Sequence, residues 1–442
     1  MGAQKGMLTQ AELEAQLLER LANAPADILS DVPLVEGLEA TKKKATEIAA
    51  AVAKGKETEI VINAAREEYR PVAAEAAMLY FILITLCNID HMYQYSLDSF
   101  KVFFNKAMER AENHAETSKR VEALRRSIRL TVYTVISRGL FEKHKLTLLS
   151  SITFQLMDRG VITEETGYGK EELDFLMRGP RGFEEENSID WLPDTAWQAV
   201  QALGNVQGFE KLPSDMIESA PRFKEWFNHV TSESEKLPLD WRDLEKQPFR
   251  KLLVVRCLRP DRMTNALTRF IRSIVPNGKD FTECDGQLNS YQVLQETFAD
   301  STNTTPIFFI LSPGADVVAD VDKLAKEKGF VLGDTYHQVS LGQGQDVVAM
   351  RYLDAGHRQG HWVMLNNVHL MPRWLVQLEK RLDEYALEGS HENFRVYLSS
   401  DPSNGIPIGI LDRSIKLTNE PPAGLKANLK RAFCCFSPDE VN

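Results

Sequence analysis

Two short segments contain residue types found in nucleotide sites, at positions where a bound nucleotide would lie. Ser312-Pro-Gly-Ala-Asp316 follows an apolar run, and Asn366-Asn367 ends another. A phosphate-binding loop needs the pattern Gly-x-x-x-x-Gly-Lys-Ser/Thr, in which backbone N–H groups and the Lys hold phosphate and the hydroxyl holds Mg²⁺. Hydrolysis also needs carboxylates at the end of a neighbouring strand, which hold magnesium-bound water and orient the attacking water.

Neither segment meets these requirements. The first has a single glycine and no lysine, Pro313 has no N–H to donate, and the carboxylate of Asp316 would repel phosphate. The second offers only neutral amides, which cannot act as bases. The sequence therefore predicts no hydrolysis, no catalytic residue and a degenerate nucleotide loop. Its positions are Ser312, Gly314, Asp316, Asn366 and Asn367.

Other patterns indicate little chemistry. Gly342-Gln-Gly344 is similar to the start of a dinucleotide fingerprint, but Val347 stands where the third glycine belongs, so a tight turn is favoured. His357 and His361 are four residues apart, and the glycines before each are expected to break the helix that would align them. The Cys434-Cys435 pair has no histidine at zinc spacing. The sequence predicts no metal site.

Composition excludes several classes of protein. The 442 residues are 43% hydrophobic, and 52 basic residues against 63 acidic ones give a net charge of −11. An acidic balance disfavours nucleic acid and anionic membranes as partners. Five scattered cysteines do not make a disulfide framework, and the longest apolar run, 78–87, is about half of a bilayer span. We therefore expect a soluble intracellular protein of roughly three domains, without nucleic-acid or membrane partners.

The segments above must be positioned by the elements around them, and from residue 248 short apolar runs alternate with helical patterns. Strands are predicted at 306–311, 337–341, 361–366, 394–398 and 415–417. Repeated strand–turn–helix units are typical of a parallel sheet covered by helices on both faces, whose ligands bind at the carboxyl ends of the strands. We expect a large α/β domain at 241–442, with two helices flanking Arg259-Pro-Asp-Arg262.

The beginning of the chain has a different pattern. From Leu34 to Tyr69 apolar positions alternate in spacings of four and three, the heptad period of a coiled coil, and Pro71 is expected to end this helix. A shorter apolar stripe precedes it, so the sequence predicts a helical hairpin, an antiparallel coiled coil, over 1–71. The seam, the row of positions through which the two helices would contact each other, is weak. Four of its positions are polar or small: Thr41, Gly55, Glu59 and Arg66. A long helix packed on the surface of a domain is the alternative.

Residues 72–240 are predicted to form an all-α small domain with a connecting region, which ends in a polar stretch at 231–238. Trp241 and Phe249 are candidates for apolar contacts between this region and the following one. Arg259 and Arg262 are candidates for charged contacts there, because Arg side chains suit interfaces. Simple solvent exposure of these residues is the alternative.

Several longer segments resemble dynein heavy chains. Those resembling the last AAA+ module are 249–262, 305–316, 340–345, 360–370 and 416–426, and those resembling the end of the fifth are 65–72, 92–96 and 138–142. Several of these segments are ten residues or longer, for example Gly360-His-Trp-Val-Met-Leu-Asn-Asn-Val-His-Leu370, which makes the resemblance specific. Met92-Tyr-Gln-Tyr-Ser96 is similar to the axonemal type, with an outer arm as the narrower expectation.

This resemblance implies part of an ATP-driven, minus-end-directed microtubule motor of the cilium or flagellum axoneme. Residues 1–71 would be the buttress, or strut, that braces the stalk. Residues 72–240 would be the small domain of the fifth module, and 241–442 the large domain of the sixth, truncated at its end. Neither module is regarded as hydrolytic in the family, so ATP and Mg²⁺ would bind at modules absent from this sequence.

The implied partners are the remaining AAA+ modules and stalk of the same heavy chain, with microtubules and dynein intermediate and light chains for the whole motor. Two other functions remain open from the residues alone: a standalone nucleotide-binding domain with an unusual loop, and a coiled-coil adaptor. Ser437-Pro-Asp-Glu440 has the pattern of a capping box just before the chain ends at Asn442. The sequence thus predicts that the chain was cut from a longer one, and a disordered tail that matches the pattern by chance is the alternative.

Overall fold

A computed structural model describes residues 32–162, 168–179, 186–283 and 290–420. The predicted short arm of the hairpin, the capping box at 437–440 and the Cys434-Cys435 pair lie outside these residues. The described residues belong to two compact units. The first runs to Glu75 and includes Glu112–Arg125, and the second consists of Ala76–Ala111 and the chain from Arg126 onward.

The first unit contains most of helix α1, Val32–Thr85. Between residues 42 and 70 almost every described side chain of this helix is exposed. Near the end of the unit, the buried Glu75 accepts a hydrogen bond of 2.5 Å from Nε of Arg125. The long part of α1 before this ion pair therefore has solvent around its whole circumference within the described residues.

Helix α1 continues through Pro71 to Thr85, so the prediction that Pro71 ends it is wrong. An internal proline removes one backbone hydrogen bond and clashes with the preceding turn, at a cost of about 3 kcal/mol. Beyond Pro71 the helix buries Val72, Met78 and Leu79. Each such side chain contributes roughly 1.5–3 kcal/mol on burial, so the three together exceed the cost of the proline.

One helical stretch among the described residues is long and apolar enough to cross a bilayer. It covers Thr46–Asn88 and has a mean hydropathy of 1.6 in its most apolar window. In the structure 44% of that window is buried inside the protein. Length and composition alone are weak evidence for a membrane span.

Helices also make up the second unit as far as residue 300. After α1 they are α2 (Leu97–Arg110), α3 (Thr117–Ser137, which begins in the first unit), α4 (Glu142–Asp158), α5 (Lys170–Arg178), α6 (Asp194–Leu203), α7 (Leu212–Glu218), α8 (Ala220–Asn228), α9 (Pro248–Leu258), α10 (Met263–Ile274), α11 (Gly278–Glu283) and α12 (Ser290–Asp300). Helix α9 packs on α5, α6 and α10, and α10 packs on α4. The two helices predicted around 259–262 are thus confirmed as α9 and α10.

A five-stranded sheet follows. Its strands are β1 (Ile307–Leu311), β2 (Tyr336–Ser340), β3 (Trp362–Asn366), β4 (Arg395–Ser400) and β5 (Ile415–Asn419). The helices between them are α13 (Val318–Glu327), α14 (Asp346–Gln359), α15 (Pro372–Glu388) and α16 (Ile408–Arg413). The strand order is β2-β3-β4-β1-β5 and every pairing is parallel, with Ile307 opposite both Tyr397 and Ile415. The five predicted strands and the parallel sheet are confirmed.

The central strand shows how the sheet is covered. All five residues of β1 are buried, so side chains on both of its faces pack against protein. On one face Phe309 belongs to an apolar core with Val321 of α13, Trp362 and Tyr397. Burial of both faces is the property of α/β domains with parallel sheets.

Two glycine-containing turns border α14. Gly344 has φ +78° in the turn between β2 and α14, which confirms the predicted tight turn. The expectation that Gly356 breaks the helix is wrong: α14 runs through it and ends at the left-handed Gly360. A Cβ at Gly356 would lie 3.0 Å from the Phe394 ring, so this glycine serves close packing.

Candidate functional site

The predicted nucleotide loop lies directly after β1, at the carboxyl edge of the sheet. Its backbone forms a closed turn, in which Ala315 N–H donates to the carbonyl of Ser312 at 2.9 Å and Gly314 has φ +82°. The N–H of Ser312 donates to the carbonyl of Asn419 on β5, at 3.1 Å. Two of the N–H groups that a phosphate would need are therefore already bonded within the chain.

The carboxylate of Asp316 occupies the position that a bound anion would take in this loop. Its Oδ1 accepts a hydrogen bond of 2.9 Å from the N–H of Val318, the first residue of α13. The positive end of a helix dipole favours a negative group there, which is why many proteins bind phosphate at such a position. Here the chain supplies its own carboxylate. The side-chain amide of Asn419 also donates to the Asp316 carbonyl, at 3.3 Å.

Asn366 and Asn367 lie at the same edge, two strands from β1 in the sheet order. Oδ1 of Asn366 accepts from the Ser399 hydroxyl at 3.0 Å, and that hydroxyl in turn accepts from the N–H of Asn367 at 3.4 Å. The side-chain amide of Asn367 donates to the hydroxyl of Ser340 at 3.4 Å. Asn367 has φ +59°, a left-handed conformation that asparagine tolerates better than most residues. The result is a neutral network of amides and hydroxyls.

Ser340 and Ser399 were not predicted as site residues, although the sequence contains a signal for both. Each is a polar residue at or near the carboxyl end of a predicted strand, which is where the ligands of parallel sheets bind. Their hydroxyls are bonded to the asparagines, and a serine hydroxyl does not ionise near neutral pH. The network therefore has no general base.

The cavity beside this edge is small. It has a volume of about 190 Å³ and is lined by residues of α3, α4, α12, α13, β1 and β5, together with Arg138 just after α3 and Val317 just before α13. Sites for nucleotide-sized ligands usually measure about 300–1,000 Å³. A group of three side chains able to hold a metal ion is also absent from the residues that the structure describes.

The predicted interface residues lie elsewhere, around the start of α10. Arg262 forms a bidentate ion pair with the buried Glu233, through Nη2 to Oε1 at 2.7 Å and Nε to Oε2 at 3.0 Å. The guanidinium of Arg262 holds the pKa of the Glu233 carboxyl below its usual range. Glu233 belongs to the polar stretch 231–238, in which Ser232 and Leu237 are also buried.

Arg259 reaches the end of α8. Its Nη1 donates to the carbonyls of Phe227 and, at 3.2 Å, of His229, and its Nε and Nη2 bond Asp261 at 2.9 and 2.7 Å. The guanidinium lies 5.5 Å from the centroid of the Phe227 ring. Both arginines thus connect the turn between α9 and α10 to the segment 227–233.

The two aromatic candidates are also buried in contacts between helices. The ring of Trp241 stacks on Phe209 at 5.8 Å, and its Nε1 donates to Asp215 at 2.9 Å. Phe249 is fully buried among other aromatic rings. The rings around it are Phe154 at 6.1 Å, Tyr168 at 5.1 Å and Phe270 at 5.7 Å. The structure brings the five loop positions to one edge of the sheet and places the four interface candidates in the helical region.

The matches to known proteins agree with this geometry. Residues 302–418, which include the whole sheet except Asn419, match the family model described as dynein heavy chain region D6 P-loop domain. "Dynein beta chain, ciliary" of Heliocidaris crassispina is 41% identical over 436 residues, 97% of this chain and 9% of its own. "Dynein axonemal heavy chain 9" of Homo sapiens is 42% identical over 448 residues, 98% of this chain and 10% of its own.

The chain belongs to the axonemal dynein heavy chains.

A third relative of this family, "Dynein beta chain, flagellar outer arm" of Chlamydomonas reinhardtii, is 40% identical over 455 residues, 98% of this chain and 10% of its own. The chain therefore spans about a tenth of the length of the relatives it matches. By their names these three relatives are a ciliary, an axonemal and a flagellar outer-arm dynein chain. The dynein heavy chain P-loop model covers the loop 312–316, in which Lys is absent and Asp316 is bonded to the helix that would receive phosphate.

Proposed function

We propose that this chain is a structural and mechanical segment of an axonemal dynein heavy chain, which helps to close the AAA+ ring and does not hydrolyse nucleotide itself. The observation that carries the proposal is the hydrogen bond from Val318 N–H to Asp316, which places a carboxylate where a nucleotide phosphate would bind. The neutral network around Asn366 supports it, because its amides and hydroxyls include no base that could activate water.

A calorimetric titration of the 442-residue chain with ATP and Mg²⁺ tests this proposal. We expect no binding at micromolar concentrations and no release of phosphate. A micromolar dissociation constant would instead support the standalone nucleotide-binding domain. A heavy chain containing all modules, titrated in parallel, is the positive control.

We infer further that residues 1–71 form the hairpin that braces the stalk. The support is the length of α1 and the exposure of its side chains between 42 and 70, which leaves its surface available to a partner helix. Gly55 has no atom within 4 Å of a Cβ built on it, so it does not serve close packing within the described residues. A helix with this weak seam can bend or change register as the ring moves.

The test replaces Gly55 with Ala and Glu59 with Leu in a heavy chain containing all modules. Stiffening the seam should uncouple microtubule binding from the nucleotide state while ATP binding at the first module is retained. Glu57→Leu is the matched control, because it makes the same Glu-to-Leu change at a position that does not belong to the seam. Unchanged microtubule-stimulated ATPase activity in the double variant would contradict the mechanical role.

The division into modules is part of the same proposal. Residues 72–240 are assigned to the small domain of the fifth module and 241–442 to the large domain of the sixth. The packing of α9 and α10 on α4, α5 and α6, together with the Arg262–Glu233 ion pair, supports a tight contact at this boundary. Limited proteolysis tests it, since a tight contact should protect 231–248 from cleavage.

The proposed partners follow from the family. They are the other AAA+ modules and the stalk of the same heavy chain, and, for the whole motor, microtubules and dynein intermediate and light chains. The proposed location is the axoneme of a cilium or flagellum, with an outer arm as the narrower assignment. Localisation of the tagged full-length heavy chain to outer-arm positions tests this assignment.

A further inference from the structure

A larger cavity lies at the opposite, amino-terminal edge of the sheet. Its volume is about 570 Å³, within the range of about 300–1,000 Å³ typical of small-molecule sites. Helices α2 and α3 form one side of it, and the segments leading into β1 and β5 form the other. The five residues of β1 separate this edge from the nucleotide loop by roughly 16 Å.

One part of the cavity wall is apolar. Phe103 of α2 and Val135 of α3 are buried and line it, and Ile415 lines it from β5. Val102 lies in the same wall and is 57% exposed, which places it at the mouth. This wall can accommodate the hydrocarbon or aromatic body of a ligand.

The basic groups of the cavity are already neutralised. Lys106 forms an ion pair with Asp300, and Arg138 forms ion pairs with Glu296 and, at 3.8 Å, with Asp300. Arg413 forms an ion pair with Asp383. An anionic ligand would therefore have to break an existing ion pair before it could gain one.

Asp412 differs from these groups. It is half-buried in the cavity wall, and its carboxylate has no basic group within 4.0 Å among the residues that the structure describes. Burial raises its pKa above the ordinary value, and this effect is opposed by the charges of Arg413 and Lys416 and by the backbone N–H of Arg413. A half-buried carboxylate without a close cation is unfavourable, and a cation placed beside it would relieve that cost.

Thr297 provides an independent observation. Its side chain is 1% exposed and lines the cavity, and its hydroxyl has no hydrogen-bond partner in the part of the chain that is described. Buried hydroxyls in native proteins nearly always have a partner, so the hydroxyl of Thr297 marks a position where a ligand in this cavity would form a hydrogen bond.

We propose that this cavity binds a small organic cation, a protonated amine on an apolar body. The polar head of the ligand lies between Asp412 and Thr297, where an ammonium group pairs with the Asp412 carboxylate and donates to the hydroxyl of Thr297, and the apolar body packs on Phe103 and Val135. Such a ligand bridges the helical segment 96–138 and the α/β domain, so its binding strengthens the contact between them.

Isothermal titration of the 442-residue chain with three matched probes tests the proposal: phenethylamine, 2-phenylethanol and phenylacetate. We expect the amine to bind at least about tenfold more tightly than the alcohol, and the anion to produce no binding heat. Asp412→Asn should reduce the affinity for the amine about tenfold and leave that for the alcohol unchanged. Asp346→Asn, at the start of α14, removes the same charge away from the cavity and should change neither.

Two further variants locate the binding. Thr297→Val keeps the shape of the side chain and should weaken the binding of amine and alcohol without lowering the melting temperature. Val102→Trp should fill the mouth and block both probes. Equal affinity for amine and alcohol, retention of the amine preference in Asp412→Asn, unchanged binding in Val102→Trp, or no binding of any probe at about 10 mM would each overturn the proposal.

Discussion

The two edges of the sheet differ in whether their polar groups have bonding partners. At the carboxyl edge Asp316 bonds the start of α13, and Asn366 and Asn367 bond neighbouring serine hydroxyls. At the amino-terminal edge Asp412 has no close cation and Thr297 has no partner among the described residues. The first edge has the location of a nucleotide site and groups that are satisfied by the chain itself, whereas the second has groups that still need a partner.

This difference shows that the position of a site in the fold does not by itself make the site able to bind a ligand. A parallel sheet places ligands at the carboxyl ends of its strands, and on that ground alone the loop 312–316 would be the binding site. Binding also needs donors and acceptors that are not already in use, because exchanging one internal hydrogen bond for another gains little. The edge with unsatisfied groups is therefore the better candidate for a ligand.

The amino-terminal edge also contains a buried charge. Lys416, near the start of β5, is 2% exposed, and its Nζ donates to the carbonyls of Leu411 at 2.7 Å and Ser414 at 3.2 Å. It lies 3.9 Å from the centroid of the Tyr95 ring. Burial lowers the pKa of Lys416 to about 7, with Asp412 opposing the change.

The largest expected effect is the dependence of stability on pH that this lysine causes. In the unfolded chain Lys416 keeps its proton up to a pKa of about 10.4, whereas the folded chain releases it near 7. The unfolded state therefore binds more protons between these values, and the free energy of unfolding should rise across this window by up to roughly 4–5 kcal/mol. Urea denaturation from pH 6 to 10 measures the rise, and Lys416→Met should remove it. Parallel pH profiles for the two proteins would show that the charge is not buried.

The packing behind Lys416 gives the next largest effect. A Cβ at Gly139 would lie 2.9 Å from Cβ of Lys416 and 3.0 Å from both its carbonyl oxygen and the hydroxyl of Tyr95. Gly139→Ala should therefore destabilise the chain by about 1–3 kcal/mol, measured as a lower urea midpoint. Gly55→Ala is the control, because the open surroundings of Gly55 should make the same change stabilising by about 0.5–1 kcal/mol. Loss of stability in both variants would refute the packing argument.

The closed network at the carboxyl edge should contribute less. Ser399 is 2% exposed and its hydroxyl bonds both asparagines, so Ser399→Ala leaves the amide of Asn366 without a partner in that network. We expect a loss of about 1–2 kcal/mol in the free energy of unfolding. Ser214→Ala, which removes an exposed hydroxyl, should change it by less than about 0.5 kcal/mol. If the two variants were equally stable, the network would not be closed as described.

The smallest effect is expected at the loop itself. Asp316→Ala removes the acceptor of the Val318 N–H and should cost about 1 kcal/mol, while Asp316→Asn keeps an acceptor oxygen and should cost only a few tenths. Neither variant should gain measurable ATP affinity, because the loop still lacks a lysine. Thermal denaturation and a calorimetric titration provide the two readouts. Tight ATP binding by Asp316→Ala would mean that the carboxylate alone had closed the site.

Much of the α/β domain could be predicted because its signals are local. The five strands are short apolar runs followed by turn residues, and each formed within one or two residues of its predicted bounds, as at β1. That the loop 312–316 departs from a phosphate-binding loop could also be predicted, since the absence of a lysine and the presence of Asp316 are properties of the sequence alone. The resemblance in these segments agrees with the family match over 302–418.

The predictions that were wrong concern helix ends. Pro71 and Gly356 have low intrinsic helix propensity, yet α1 and α14 run through them. In each case the deciding term is packing with other residues: the apolar side chains beyond Pro71 become buried, and the Phe394 ring fills the space above Gly356. Propensity is a local quantity of a few kilocalories, and burial outweighs it.

The sequence by itself thus determined the strands, the order of elements and the chemistry that the loop lacks. Tertiary structure decided which polar groups find partners. Asp316 is bonded by Val318, two residues away, but Asn366 needs Ser399, 33 residues away, and the backbone carbonyl of Asp412 is reached by Ser99, 313 residues away. Lys416 is likewise packed against Tyr95 and Gly139, which are distant in sequence, and the hydroxyl of Thr297 has no partner among the described residues. Partners of this kind are set by the packing of the whole chain, which no local pattern encodes.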